Sequence, residues 1–280
     1  MHTKITLATW NINSLRLRVQ HLAKIDADII CLQEIKCQNQ EVPVNEIKKL
    51  GFDHHYVRGE KAYNGVGIFS KIPLSDVEML DFGGNSQARH ISALLPDGTR
   101  LHNFYVPAGR DIPDPVTNPH FAHKLKFVED MTSYFESLKE TNPSEAKARA
   151  TPAKLCAALE RNHIIVGDFN IAPFEHDVWS HKQMLDVISH TPMETERMDK
   201  MYKTLDWVDA SRHFVPHNEK CYSWWSYRNQ DWKKSNRGRR LDHIWVTPQL
   251  QSRLESHHIL REARDWEKPS DHVPVIIQLS

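Results

Sequence analysis

His163-Ile164-Ile165-Val166-Gly167-Asp168-Phe169-Asn170-Ile171-Ala172-Pro173 is the stretch from which the fold can be read. Ile164, Ile165 and Val166 are consecutive β-branched apolar residues, and such a run suits a strand buried on both faces. Gly167 ends the run, and Asp168 and Asn170 follow with Phe169 between them. In an extended chain, alternation sends Asp168 and Asn170 to one side and Phe169 to the other. A carboxylate and a carboxamide then stand side by side where a hydrophobic strand stops. A plain turn would use the same residues, since Asp, Asn, Gly and Pro all form turns. Similar strand ends elsewhere in the chain favour a site.

The chain of 280 residues can bury a large core, as one large domain or two small ones. Hydrophobic residues make up 40% and charged residues 26%, the balance of an ordinary soluble globular protein. No apolar run is long enough to span a membrane. The start, Met1-His2-Thr3-Lys4, enters a strand-like run at once, which leaves no room for a signal peptide. Cys31, Cys37, Cys156 and Cys221 have neither Cys-x-x-Cys nor zinc spacing. Cys31 and Cys156 lie in apolar patterns and read as reduced core residues, so a cytosolic compartment is expected. Lys plus Arg, 36, balances Asp plus Glu, 36. Zero net charge exerts no global pull on a polyanion, so any nucleic-acid binding depends on local clustering.

Residues 5–11 read as a strand ending in Asn11-Ile12-Asn13-Ser14, with Ser14 as the N-cap of a helix over 15–25. Residues 28–32 form a second strand that runs directly into Gln33-Glu34. A carboxylate there is either a solvated strand end or a functional group, because isolated buried carboxylates are costly. A short helix is expected over 45–50, and strands over 56–57, 66–70, 77–80, 90–95 and 100–106. Asp97-Gly98 makes a hairpin of the last two. The proline-rich segment after Arg110 suits a surface loop near a site. A helix follows over 120–138, then a polar stretch over 142–150 and a helix start at Thr151-Pro152. His176 and His181, five apart, do not share a helix face and read as surface histidines. Residues 207–210, 241–246 and 273–279 complete the strands. The strands ending in Glu34 and Asp168 each deliver an acid after an Ile-Ile run, a coarse internal echo.

Residues 221–232 concentrate Tyr222, Trp224, Trp225, Tyr227 and Trp232. Residues 228–240 then carry Arg228, Lys233, Lys234, Arg237, Arg239 and Arg240 against Asp231 alone. Aromatics interleaved with cations suit a nucleic-acid backbone and an unstacked base or sugar. A solvated loop with its aromatics turned into the core suits them equally.

The strand ends together offer Asn11, Glu34, Tyr105, Asp168, Asn170, Asp242, Asp271 and His272. This is an oxygen-rich set with one imidazole and no thiolate, which favours Mg²⁺ or Mn²⁺ over zinc. Hydrolysis of a phosphodiester needs a Lewis acid, an activated water and help for the leaving oxygen. A His–Asp pair can supply a base or a phosphate-bound imidazolium. No serine or cysteine sits in a nucleophile motif, so direct attack by water is the simpler chemistry.

In these motifs the chain resembles the exonuclease III branch, the bacterial-type AP endonucleases, of the endonuclease/exonuclease/phosphatase superfamily. The motifs are Asn11-Ile12-Asn13, Leu32-Gln33-Glu34, Tyr105-Val106-Pro107-Ala108-Gly109, the 167–173 stretch, Asn236-Arg237-Gly238-Arg239-Arg240-Leu241-Asp242 and Lys268-Pro269-Ser270-Asp271-His272. The resemblance implies one α/β domain over residues 1–280, a DNase I-like four-layer α/β sandwich of two stacked mixed β-sheets flanked by helices. It implies a monomeric Mg²⁺ enzyme, with Mn²⁺ as a substitute, acting on double-stranded DNA with abasic or 3′-blocked lesions. It would be cytoplasmic and nucleoid-associated. Its activities would be incision 5′ to abasic sites leaving a 3′-hydroxyl, 3′→5′ exonuclease, and 3′-phosphatase or phosphodiesterase. Position by position, it makes Glu34, Asn11 and Asp271 metal ligands, with a possible second metal site at Asp168, Asn170 and His272. It makes Tyr105, Asp168, Asn170, Asp242 and His272 catalytic. It turns Lys36, Tyr63, Arg89 and Arg110 to the DNA backbone or groove, and Trp224 and Leu241 to the wall of a pocket for a flipped-out sugar.

Ser14, Ala108 and Arg239 depart from the pattern. Ala108 removes one phosphate contact, and Arg239 replaces an apolar or aromatic pocket residue at a DNA-binding position. Two rival readings share much of the sequence. One is a phosphoinositide or sphingolipid phosphodiesterase with the same metal and Asp-His core, against which the basic-aromatic stretch argues. The other is a non-catalytic DNA-binding relative, against which the complete set of acids argues.

Overall fold

The computed structural model describes residues 4–140, 162–229 and 231–280. The run at 164–166 lies within strand β8, His163–Asp168, every residue of which is buried. Gly167 does not end this strand. It continues it at φ +139, and a Cβ there would lie 1.9 Å from the carbonyl oxygen of Phe104. Glycine is what lets β8 approach its neighbour closely enough to carry Asp168 to the strand's end.

Two six-stranded sheets form the body. The first has the order β13 (Leu254–Ile259), β14 (Val275–Leu279), β1 (Ile5–Asn11), β2 (Ile29–Gln33), β4 (Val66–Ser70), β3 (His54–Arg58). The second has the order β5 (Ser75–Glu78), β6 (His90–Leu94), β7 (Arg100–Tyr105), β8, β12 (Asp242–Val246), β9 (Val208–Asp209). In the first sheet β1 and β2 run parallel, and in the second β7 and β8 do; the other pairings are antiparallel. A small ribbon, β10 (Trp224–Trp225) with β11 (Gly238–Arg239), stands apart from both.

Alternation along the strands explains the layers. Leu7, Ile29, Cys31, Ile68, Ile91, Leu101, Ile164, Val166, Ile244 and Ile277 share one core between the sheets. The opposite faces take Trp10, Ile30, Leu32 and Phe69 under Leu15, Leu22 and Ile47 of the first helical layer. They take Phe104, Ile165 and Trp245 under Phe127, Met131 and Phe135 of helix Pro119–Glu140 and Met198 and Met201 of helix Pro192–Thr204. The result is the four-layer α/β sandwich, with Cys31 in its interior.

Several local expectations change. The helix expected over 15–25 divides into Leu15–Arg18 and a 3-10 turn, Val19–Lys24. Ser14 makes no side-chain cap: at φ +91 its backbone N–H donates instead to the Glu34 carbonyl, 2.7 Å. The polar region after Pro173, for which the sequence pattern suggests helix through about Leu205, is broken into a 3-10 turn, Glu175–Asp177, and helices His181–Met184 and Pro192–Thr204. His181 is exposed and hydrogen-bonds His190, 2.8 Å. Asp97-Gly98 does turn β6 into β7, with Gly98 at φ +84. The readings for 142–150, Thr151-Pro152 and Cys156 lie outside the described residues.

Candidate active site

Parallel strands bring their C-terminal ends together, and each sheet has one such pair. Asn11 ends β1 opposite Gln33, the last residue of β2, and Glu34 follows. Tyr105 ends β7 opposite Asp168, the last residue of β8. Asp242 opens the antiparallel β12, also opposite Asp168. His272 precedes β14, held by a hydrogen bond from Trp10 Nε1 to its carbonyl, 3.0 Å.

The four strand ends of the two sheets meet. Asn11 Nδ2 donates to Glu34 Oε1, 2.9 Å, and to Asp168 Oδ2, 2.8 Å. The Tyr105 hydroxyl donates to Glu34 Oε1, 2.8 Å. His272 Nδ1 lies 2.8 Å from Asp242 Oδ2, and Nε2 lies 3.6 Å from Asp168 Oδ2. Asn170 sits beside Asp168, but not through an extended chain. At φ +52 it turns back, its N–H donating to Asp168 Oδ1, 2.9 Å, and its amide to Asp168 Oδ2, 3.1 Å. Asp271 is placed differently from Glu34 and Asn11. It accepts from Trp224 Nε1, 2.9 Å, and from Asn13 Nδ2, 3.3 Å.

Burial and neighbouring charge divide the acids into distinct roles. Asp168 is fully buried, and that burial, reinforced by Asp242, raises its carboxyl against the opposing charge of His272. Burial alone would depress His272, but Asp242 and Asp168 outweigh it and push the imidazole up to about 10. Burial alone would raise Glu34, but Lys36 and the bonds from Asn11 and Tyr105 hold it below the usual carboxylate range. Burial, with Glu34 beside it, raises Tyr105 well above the ordinary phenol, so it stays a proton donor. The site therefore pairs a carboxylate poised to accept a proton with an imidazolium and a phenol that carry protons.

The donor set suits a divalent cation. Asp168, Asp242 and His272 each present a ligand atom within 4.8 Å of the others. Asp242 Oδ1 is buried without a hydrogen-bond partner. A cation already rests against Glu34: the Lys36 ammonium is 2.7 Å from Oε2 and also donates to Asn13 Oδ1, 2.6 Å.

The residues expected to face DNA separate into two groups. Tyr63, 71% exposed, and Arg110, exposed at φ +62, stand free on the surface. Arg89 lies over the Tyr105 ring, 4.6 Å to the centroid, and donates to its carbonyl. Trp224 and Arg239 line a cavity of about 940 Å³ that also takes Trp179, Arg228 and Arg237. Leu241 is buried behind Trp224, packed with Ala172, Val178 and Met184. The basic-aromatic stretch is split rather than uniform. Tyr222, Trp225 and Trp232 are core, and Arg240 is wholly buried, bonded through Nε and Nη2 to Asp177 and through Nη1 to Asp209, each 2.8 Å.

Further supports lie outside the strand-end motifs. Gln33 Nε2 donates across the sheets to Asn103 Oδ1, 2.7 Å, and Asn103 Nδ2 donates back to the carbonyls of Leu32 and Gly67. Lys124, paired with Glu194 in full burial, donates to the Asn170 carbonyl, 2.8 Å, and steadies that turn. Thr191 and Glu194 form a capping box that sequence pattern alone could have revealed.

Residues 8–272 match the model of the Endonuclease/Exonuclease/phosphatase family. The chain is 30% identical to exodeoxyribonuclease III of Haemophilus influenzae, covering 95% of this chain and 97% of that one. It is similar to an AP endonuclease from Archaeoglobus fulgidus, with TM-score 0.83, 28% identity and 98% of both chains covered. It is also similar to a 3′ phosphatase from Neisseria bound to a product DNA hairpin, with TM-score 0.81, 27% identity and 99% of both chains covered. Two mixed sheets whose parallel ends converge on a buried Asp–His centre, together with a match over nearly the whole length, establish that the chain belongs to the Endonuclease/Exonuclease/phosphatase family.

Proposed function

We propose that the chain is a DNA-repair nuclease that hydrolyses phosphodiesters of double-stranded DNA, cutting 5′ to abasic sites to leave a 3′-hydroxyl. Shortening of duplex 3′ ends and removal of 3′-blocking phosphates and phosphodiesters belong to the same reading. The observation that carries it is the convergence of Asn11, Glu34, Tyr105, Asp168 and the Asp242–His272 pair from both sheets into one buried centre. The names of the similar proteins, an exodeoxyribonuclease III, an AP endonuclease and a DNA-bound 3′ phosphatase, support it. The protein acts as a single-domain monomer in the cytoplasm, associated with the nucleoid. Among the described residues no helix is long and apolar enough to cross a membrane.

The cofactor would be Mg²⁺, with Mn²⁺ as a substitute, held by Glu34 and Asn11 with Asp271; a second position at Asp168, Asn170 and His272 would belong to an alternative state in which the imidazole has given up its proton. When bound, it supplies a Lewis acid for the phosphate and the leaving oxygen. Asp168 accepts the proton of the attacking water, the role its raised pKa suits. Asn170 orients that water at the phosphate. His272, kept protonated by Asp242, neutralises a phosphate oxygen as charge develops on it. Tyr105 stands beside the leaving oxygen as a phenol. Lys36, Tyr63, Arg89 and Arg110 hold the backbone, and Trp224, Arg239 and Leu241 shape the pocket.

The test is an incision assay on an abasic duplex beside an intact recessed duplex, with Mg²⁺ and with EDTA. Cleavage of the abasic strand with Mg²⁺ and none with EDTA is expected. Cleavage unaffected by EDTA, or of neither duplex, overturns the reading.

A further inference from the structure

Arg239 is bound to the protein by one edge only. Its Nη1 donates to the Ile188 carbonyl, 3.1 Å, and to Ser189 Oγ, 2.9 Å, while its Nε is buried without a partner. Its guanidinium carbon lies 5.0 Å from the Trp224 ring centroid. Among the described residues no carboxylate pairs with it. Trp224 connects it to the reaction centre, pairing with Arg239 in the β10–β11 ribbon and bridging to His272 on its other side. The cavity Arg239 lines is also walled by Arg228 and by Arg237, itself stacked on Trp179 at 4.6 Å, against one acid, Asp111. The one acid whose charge favours this half-buried guanidinium, Glu194, is already paired with Lys124, so in a cavity with a cationic excess Arg239 is short of an anion.

We propose that Arg239 is a specificity-determining residue that favours substrates bearing an anionic group on the 3′ side of the scissile phosphate, either a terminal carboxylate or the next phosphate of the strand. The inference rests on the nuclease reading above. A planar guanidinium matches carboxylate and phosphate oxygens alike, and an uncharged group would leave its charge unanswered.

Two substrate pairs test it. In the first, a duplex 3′ end carries a carboxymethyl phosphate ester or the uncharged hydroxyethyl ester. In the second, the linkage after an internal abasic sugar is a natural phosphodiester or an uncharged methylphosphonate. The protein should favour the charged member of at least one pair by about tenfold or more in kcat/KM, the scale of one charge-assisted hydrogen bond. The first pair reports the carboxylate and the second the phosphate. Arg239→Leu should abolish that ratio, and Arg239→Lys should keep part of it. Equal rates within both pairs for the unmodified protein overturn the proposal without recourse to a variant, as does a preference that survives in Arg239→Leu. Cleavage of all four substrates without charge preference leaves the nuclease reading intact and removes only this one. Cleavage of none defeats both.

Discussion

His272 Nδ1 sits 2.8 Å from one oxygen of Asp242, while the other oxygen of that carboxylate is buried with no partner. Asp242→Asn keeps the shape but removes the charge that holds the imidazole protonated. Turnover on an abasic duplex is expected to fall about a hundredfold or more, as for other preorganised electrostatic groups. The His272 titration, followed by NMR, should move down from about 10. A variant with unchanged turnover would show that the protonated imidazole does not act on the phosphate.

Glu34 is the carboxylate that Lys36, Asn11 and Tyr105 jointly hold ionised. Glu34→Gln should abolish divalent-dependent cleavage and weaken Mg²⁺ or Mn²⁺ binding in calorimetry, while DNA affinity in EDTA survives. Full metal affinity in the variant would move the metal to the Asp168–Asp242–His272 cluster instead.

Gly167 admits no side chain, since a Cβ would fall 1.9 Å from the Phe104 carbonyl oxygen at a backbone angle that disfavours L residues. Gly167→Ala should destabilise the protein by more than about 1 kcal/mol in urea melts. Activity should fall further than the folded fraction explains, because Asp168 is the next residue.

Asp177 binds Arg240 through both oxygens and also pairs with Arg212, all in the interior. Burial alone would raise its carboxyl, but the two guanidinium groups outweigh it and hold it at about 2. Its folded value is depressed, so its stabilisation is complete above about pH 4 and is lost as the pH falls through about 2. Asp177→Asn should cost about 3–5 kcal/mol near neutrality by stranding a buried cation. The gap to the unmodified protein in urea melts should narrow as the pH falls from about 4 toward 2. A constant gap across that window would remove Asp177 as its source.

The β-branched runs at 164–166 and 29–30 are legible because burial on both faces demands them, and Asp168 and Glu34 stand out because each follows closely on such a run. What stayed hidden depends on partners far away in sequence. Arg240 reads like its exposed neighbours Arg237 and Lys234, and only the fold brings Asp177 and Asp209 to it. Asn103 is one of three polar residues in β7 beside Arg100 and His102, with nothing local to set it apart, and its partners Gln33, Leu32 and Gly67 belong to the other sheet. The Asp168–Asn170 neighbourhood was anticipated by the wrong geometry, since a left-handed turn at Asn170, not alternation, closes it.

The bond from Gln33 to Asn103 has a biological corollary. Since neither sheet holds more than part of the reacting constellation, a nascent or half-melted chain has no competent cutting centre.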